Sequence, residues 1–319
     1  MVRRDIAGSA RAFTLVELLV VIAIIGVLAA LTVTGVMRVI DAQNESNTRT
    51  AIQTAYSILQ KHWAKVVADA KKETPSTAAL QLAGNDPQRA QVVWVKLRLM
   101  EAFPASYDEV RTPPPYQHYP DFASGTPLIP DTQRRNIGTY QRKLGTASSA
   151  NVQAQSAACL VMALSVNRGG VVLDEEKFGP FLKDSDRDGI PELVDGWGTP
   201  IAFFRFPTQY PNLLSASGSQ WLNPAKTGRG ATFSDPLDPD GLLQNTGSYD
   251  YAYFTGTLKA HAVASGSYII PALASSGRDG KLGLNFQSYS AGSDMGLTGD
   301  GSADDNLYSF FLNVGSTGN

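Results

Sequence analysis

Acidic residues at alternate positions are the chain's clearest candidate for metal chemistry. Asp184, Asp186 and Asp188 are followed directly by Gly189. In a calcium loop, positions 1, 3 and 5 supply carboxylate oxygens, a glycine at position 6 makes the sharp turn, and position 7 supplies a backbone carbonyl. Continuing this count along the chain gives the full candidate ligand set: Asp184, Asp186, Asp188, Ile190, Glu192 and Asp195.

Two features distinguish this stretch from an EF-hand. Asp195 stands at position 12, where a longer glutamate usually binds calcium through both oxygens, and Pro191 disfavours a helix directly after the turn. The pattern therefore predicts a free-standing acidic turn. Closely spaced carboxylates repel one another unless a cation or water screens their charge. A calcium loop and a solvated turn without metal both remain open from the sequence.

The composition excludes several other kinds of site. The chain has 319 residues with 27 basic and 29 acidic side chains, a balance that gives no footprint for nucleic acid. Its one cysteine, Cys159, rules out an intrachain disulfide and a cysteine-based zinc site, and its three histidines are scattered. A hydrolase is disfavoured because no histidine stands in a Ser-His-Asp context and calcium spacing already accounts for the acids. We therefore expect no enzyme activity.

The N-terminal segment is basic and then strongly apolar. Arg3, Arg4 and Arg11 precede an apolar run over residues 13–36, which is long enough for a helix to cross a hydrocarbon core of about 30 Å. A secretory signal peptide and a plain membrane anchor would both fit this arrangement. Neither explains Glu17, because a carboxylate within a membrane span is costly and indicates a function.

The residues around Glu17 resemble the cleavage and methylation segment of type IV pilins and type II secretion pseudopilins. The resemblance covers residues 11–22, with the sequence RAFTLVELLVVI. It implies that a prepilin peptidase cuts between Ala12 and Phe13 and methylates the new amino group of Phe13. It also implies that Glu17 pairs with the terminal amine of a neighbouring subunit, and such pairing with a cation makes a buried carboxylate tolerable.

Stretches nearer the C-terminus resemble the major, G-type pseudopilins of type II secretion. Residues 195–201, DGWGTPI, are similar to an Asp-x-Trp-Gly-x-Pro motif that opens the C-terminal sheet region of that family. Residues 276–283 and 299–307 resemble the two halves of its calcium site. The resemblance implies calcium as a cofactor, one or two ions in all, and a second group of candidate ligands: Asp279, Asp300, Asp304 and Asp305.

Regular elements must position these groups. Apolar residues recur at helical spacing from Ile52 to Val67, which extends the N-terminal helix from Phe13 to about Lys72. Further helices are predicted from Asp86 to just before Pro104 and over 150–167, and strands over 201–206 and 249–255. The predicted fold class is α+β and pilin-like. A long N-terminal helix, transmembrane and then amphipathic, packs on a C-terminal antiparallel β-sheet domain with long loops, enlarged by a partly helical insertion.

The expected organisation and role follow from these elements. The parts are a leader over 1–12, the transmembrane half of the helix over 13–36, its periplasmic half over 37–72, an insertion over 73–180, and a pseudopilin-like β domain over 181–319. By resemblance the chain is a type II secretion pseudopilus subunit, assembled by helix stacking into a homo-oligomeric filament. The implied partners are a prepilin peptidase, other pseudopilin subunits, an inner-membrane assembly platform and membrane lipid.

The expected location is the cell inner membrane, crossed once, with the C-terminal domain in the periplasm. The basic residues before the span favour the cytoplasm for the N-terminal end. Two alternatives to the pseudopilus subunit remain open, because both would share the same anchor. One is a minor pilin of a type IV pilus, and the other is a membrane-anchored periplasmic binding protein.

Overall fold

The computed structural model describes residues 15–113, 127–206, 237–240, 242–243, 271–284, 298 and 301–309. The described α-helices are α1 Leu15–Ala70, α2 Thr77–Leu82, α3 Pro87–Ala102, α4 Tyr107–Arg111, α5 Ile137–Leu144, α6 Val152–Leu164 and α7 Glu175–Phe178. The described strands are β1 Leu182–Lys183, β2 Glu192–Leu193, β3 Ala202–Phe204, β4 Ala272–Ser275 and β5 Leu307–Tyr308. The α+β class predicted from the sequence is confirmed.

Helix α1 has 56 described residues and ends at Ala70, two residues before the predicted end at about Lys72, whereas its predicted start at Phe13 lies outside the described residues. The chain divides into two compact units, one ending at Asn44 and the other beginning at Glu45. In the first unit the helix carries no charged residue from Leu18 to Met37, and its large apolar side chains described there are exposed. Its Thr32 hydroxyl donates to the carbonyl oxygen of Leu28 at 2.9 Å, so this polar group is satisfied within the helix.

The second unit buries one face of α1. Ile52, Tyr56, Leu59 and Trp63, which form the apolar stripe predicted from the sequence, are all buried. Successive members are three or four residues apart and therefore lie on one side of a helix. The Trp63 ring lies 5.4 Å from the ring of Phe103, which comes directly after α3, so residues of the middle of the chain share this core.

Local capping signals set the start of the next long helices. The Asp86 carboxylate accepts hydrogen bonds from the backbone N–H groups of Gln88 and Arg89, and Pro87 occupies the first turn of α3. Both features satisfy or remove N–H groups that a helix start leaves without partners. Asn151 caps α6 in the same way. The helix predicted from Asp86 to just before Pro104 is confirmed, and α6 lies within the one predicted over 150–167.

The strands form two small antiparallel sheets. β1 pairs with β2, with Leu182 opposite Leu193, and the acidic turn joins them. β4 lies between β3 and β5 in the second sheet, with Phe203 opposite Leu273. β3 is entirely buried and falls inside the strand predicted over 201–206. The strand predicted over 249–255 lies outside the described residues.

The predicted insertion packs into the same unit as the sheets. The buried Arg205 guanidinium, one residue after β3, donates to both carboxylate oxygens of Glu109 in α4, at 2.6 and 3.0 Å. A third hydrogen bond from Arg205 reaches the carbonyl oxygen of Phe103 at 2.9 Å. Residues from the middle of the chain and from the C-terminal sheet therefore share one buried polar contact. The boundaries predicted at residues 72 and 180 remain predictions.

Candidate functional site

The methylation segment contains the candidate processing and assembly residues. Ala12 and Phe13 lie outside the described residues. Glu17 lies in the first described turn of α1, and its side chain is exposed. Glu17 directly precedes the uncharged run of α1, so its carboxylate stands at one end of the apolar surface.

The surface that follows Glu17 is continuously apolar. From Leu18 to Met37 the chain has 20 residues without a charged side chain. At 1.5 Å per residue, this length matches a hydrocarbon core of about 30 Å. α1 is the one helix in the described part of the chain that is long and apolar enough to cross a membrane. A helix that is apolar all round requires lipid or other apolar helices as its surroundings.

The acidic turn brings four of its six predicted ligand residues together. One carboxylate oxygen from each of Asp184, Asp186, Asp188 and Glu192 lies within 4.8 Å of the other three. We call these four residues the acidic cluster. The Asp184 carboxylate accepts from the backbone N–H groups of Asp188 and Gly189, both at 3.0 Å. Gly189 has a φ of 93°, which lies in the left-handed region that favours glycine.

Glu192 is the buried member of the acidic cluster. It is the first residue of β2, its side chain is 0% exposed, and its Oε2 accepts from the Ser185 N–H at 2.6 Å. Burial, together with the nearby charges of Asp186 and Asp184, raises its pKa to about 7, although the hydrogen bond from Ser185 opposes this. The shift means that the charged form is costly where this side chain lies.

The structure does not bring Asp195 to the acidic cluster. Its Oδ1 accepts from the backbone N–H groups of Trp197 and Thr199, at 3.0 and 2.9 Å, and its Oδ2 accepts from the Ser275 hydroxyl at 2.7 Å. Burial raises the pKa of Asp195, and these hydrogen bonds lower it. Asp195 therefore fixes the corner between β2 and β3. The sixth predicted residue, Ile190, donates its N–H to Asp188 at 2.8 Å and packs, partly buried, against the apolar cluster that contains Tyr107.

The C-terminal candidates are only partly described. Asp300 lies outside the described residues, whereas Asp279, Asp304 and Asp305 are exposed. The Oδ2 of Asp305 accepts from the backbone N–H groups of Arg278 and Asp279, at 2.8 and 3.1 Å. The two segments that the sequence predicted to form one site are therefore in contact. Within the described ranges, three or more potential metal-ligand side chains converge in the acidic cluster alone.

Tyr107 is a neighbour of the acidic cluster that the sequence analysis missed. It is buried at the start of α4, and burial followed by the Asp188 and Asp186 carboxylates raises its pKa. Its hydroxyl lies near Asp188 but forms no well-aligned hydrogen bond. No local signal links α4 to a turn so distant in the sequence, so this proximity emerges only from the tertiary fold.

His62 supplies a pH-dependent part of the stability of the second unit. Its ring is buried, its Nε2 lies 2.9 Å from the carbonyl oxygen of Val171, and burial and the Arg168 charge lower its pKa. The folded protein therefore favours the neutral ring, whereas the unfolded chain takes up a proton as the pH falls below about 6.5. The contribution of His62 is present above that pH and is lost on acidification.

We expect the stability difference between the wild type and His62→Gln to shrink from pH 7.5 to pH 5.5. Glutamine can still donate to Val171 but does not titrate. The measurement is the urea midpoint of the full-length, detergent-extracted chain at both pH values. Glu192 titrates in both proteins and so cancels in the difference. A difference that stays constant with pH would contradict the role assigned to His62.

Comparison with known proteins bears on the N-terminal segment. Residues 8–33 match the family model described as the prokaryotic N-terminal methylation motif. No curated protein and no solved structure matches the chain. The match includes Ala12, Phe13 and Glu17 and overlaps the apolar start of α1. The motif implies processing by a prepilin peptidase and assembly with other pilin subunits. Together with the long apolar helix, it indicates a type IV pilin-like protein, a class of structural subunits that a single N-terminal helix anchors in the membrane.

Proposed function

We propose that this chain is a structural subunit of a type II secretion pseudopilus. The observation that carries the proposal is the methylation motif at the start of a 56-residue helix whose first part is apolar and exposed. Such a helix is stable in lipid before assembly and among the apolar helices of other subunits after it. The apolar part of the helix, in the unit that ends at Asn44, would then form the filament core.

Pairing through Glu17 would set the axial offset between neighbouring helices in this assembly. A charged carboxylate at mid-bilayer depth costs about 2.5–3.5 kcal/mol, and less near the interface. An amino terminus created at Phe13 in a neighbouring subunit is a cation that offsets this cost when the two groups meet in an apolar surrounding. One such pair for each subunit contact would favour a single axial offset between stacked helices over all the others.

The choice of a secretion pseudopilus over a pilus rests on the C-terminal half. The corner built by Asp195 and the contact of Asp305 with Arg278 and Asp279 lie in the stretches that resemble major pseudopilins. The basic residues before the span favour a cytoplasmic N-terminus. They thus support an inner-membrane location with the second unit in the periplasm. A minor pilin would share both the anchor and this orientation.

The mass of the intact protein tests the processing step. We expect the chain extracted from membranes of cells with an active prepilin peptidase to lack residues 1–12 and to carry one methyl group on Phe13. The measurement is intact mass spectrometry with sequencing of the N-terminal peptide. Cells whose peptidase is inactivated provide the control, because the same chain should there retain residues 1–12. Retention of the unmethylated segment in cells with active peptidase would contradict the proposal.

The pseudopilus subunit and the membrane-anchored binding protein differ in their state after processing. A pseudopilus subunit should be recovered in sheared or crosslinked filaments as repeated copies in contact through α1. A binding protein should remain monomeric in the membrane. Cysteine pairs placed along the exposed part of α1 measure this directly, since crosslinks at one axial offset require ordered stacking.

A further inference from the structure

The acidic cluster concentrates negative charge without a visible counter-charge. Three carboxylates on the turn and the Glu192 carboxylate have oxygens within 4.8 Å of one another. In the described part of the chain, no lysine, arginine or histidine forms an ion pair with any of the four. Like charges at this spacing raise the free energy of the folded state unless a cation neutralises them.

The second observation is a set of buried oxygens without hydrogen-bond partners. Glu192 is 0% exposed, yet its Oε1 has no partner, and the buried Oδ2 atoms of the half-buried Asp186 and Asp188 also have none, although the Tyr107 hydroxyl lies near Asp188. A buried polar atom left without a partner costs about 1–3 kcal/mol, and more when the group is charged. Three such oxygens in one cluster leave a set of acceptors that a single cation can satisfy.

The remaining oxygens of the cluster hold the turn in shape. Both oxygens of Asp184 accept from backbone N–H groups, Asp188 Oδ1 accepts from Ile190, and Glu192 Oε2 accepts from Ser185 across the turn. Each of Asp188 and Glu192 thus uses one oxygen to order the loop and keeps the other available. The pairing of β1 with β2 fixes where Glu192 stands relative to the aspartates.

We propose that the turn between β1 and β2 binds one Ca²⁺ ion through Asp184, Asp186, Asp188 and Glu192. The donors are all hard oxygens, which excludes a preference for the nitrogen and sulfur ligands of structural zinc sites. Calcium accepts six to eight oxygens in irregular geometry and takes backbone carbonyls and waters readily. Magnesium demands near-octahedral geometry and dehydrates reluctantly, so a four-carboxylate protein cage favours calcium.

The ion would tie the acidic turn to the helical part of the second unit. Ile190 packs against the cluster of apolar residues that contains Tyr107, and Tyr107 lies beside Asp188. Neutralising the carboxylates removes the repulsion that opposes closure of the β1–β2 hairpin. The site therefore makes the fold of the second unit depend on the calcium concentration outside the cytoplasm, with no disulfide available to do so.

Calorimetric titration of the full-length, detergent-extracted protein with CaCl₂ tests this site. We expect Glu192→Gln to bind calcium at the turn at least about tenfold more weakly, a loss of roughly 1.4 kcal/mol or more. Glutamine retains an acceptor for the Ser185 N–H but not the charge. In EDTA the same variant should melt no lower than the wild type, because the change removes a buried charge that has no cation partner. If Glu192 had only a structural role, Glu192→Gln would melt at a lower temperature than the wild type in EDTA.

Further variants test which residues bind the calcium ion. Asp186→Asn should also weaken calcium binding, and it tests the site if Glu192→Gln fails to fold. Asp69→Asn, which removes a carboxylate paired with Lys65 on the surface of α1, is the matched control and should leave calcium binding unchanged. Asp279→Asn tests whether calcium is bound in the C-terminal segment instead. Calcium at a hundredfold excess over its Kd should raise the wild-type Tm by about 5 °C or more, and equal magnesium should raise it less. Wild-type affinity in both cluster variants, or a loss confined to Asp279→Asn, would overturn the proposal.

Discussion

Replacing Glu17 by alanine should abolish filament assembly while leaving the chain in the membrane. The change removes the carboxylate that directly precedes the 20 uncharged residues of the apolar segment. Insertion should persist because alanine is better tolerated in lipid than a charged group. Each assembled subunit would lose one Glu17–amine pair, and about 1.4 kcal/mol lost at each contact lowers an association constant about tenfold. Over many contacts the loss compounds, so filament yield should fall below detection.

Membrane fractionation and recovery of sheared filaments measure the two effects separately. Glu45→Ala is the matched control on the same helix, because Glu45 forms an exposed ion pair with Arg49 that contributes little to stability. It should assemble as the wild type does. Normal yields of filaments from Glu17→Ala would contradict the register role of this residue. Loss of the chain from the membrane would instead mean that Glu17 is required for membrane insertion.

Features that depend on local sequence could be predicted well. The segment around Glu17 and the 20 uncharged residues after it identify the span without any tertiary information. The stripe from Ile52 to Trp63 repeats at helical spacing, so its buried face follows from periodicity alone. Asp86 and Asn151 cap helices with their own side chains, within three residues of the groups they satisfy. In each case the interacting groups are neighbours in the chain.

The acidic turn was predicted only in part from the local sequence. Alternating aspartates and Gly189 predicted a turn, and the structure brings Glu192 to it as the count suggested. Asp195 follows a different path because its carboxylate is held by Ser275, a residue 80 positions away. The spacing of ligands in a calcium loop assumes that the chain continues around the ion up to position 12. Here the chain enters β2 at Glu192 and then bends at Asp195 toward β3. Two local hydrogen bonds, from Trp197 and Thr199, and a long-range one from Ser275, which the sequence does not reveal, together decide where this side chain lies.

The junction between the middle helices and the C-terminal sheet could not be predicted for the same reason. The pairing of Glu109 with Arg205 joins residues 96 positions apart, and the sequence around either residue shows nothing unusual. Charged side chains are rarely fully buried unless they are paired. The sequence predicts a partly helical insertion over 73–180 and assigns it no role. This ion pair shows that its helices are built into the packing of the sheet.

Breaking this pair should produce the largest loss of stability among the changes considered. Arg205 is 0% exposed and Glu109 is 6% exposed, and two hydrogen bonds of 2.6 and 3.0 Å join them. Glu109→Gln keeps the shape of the side chain but leaves the guanidinium buried beside a neutral group. Removing one partner of a buried ion pair costs about 3–5 kcal/mol, because the other charge remains desolvated. At roughly 2–4 °C per kcal/mol, the Tm should fall by about 6–20 °C.

A double replacement separates the penalty of an isolated charge from the value of the pair. Glu109→Leu combined with Arg205→Met removes both charges, so it should destabilise the protein by less than the sum of the two single changes. The carbonyl oxygen of Phe103 and the N–H of Ala105 also bond to this pair, and they lose their partners in the double variant. Some destabilisation should therefore remain. Thermal melts of all four proteins give the coupling free energy directly. A Glu109→Gln variant within about 1 kcal/mol of the wild type, the range of exposed pairs, would mean that water reaches the guanidinium.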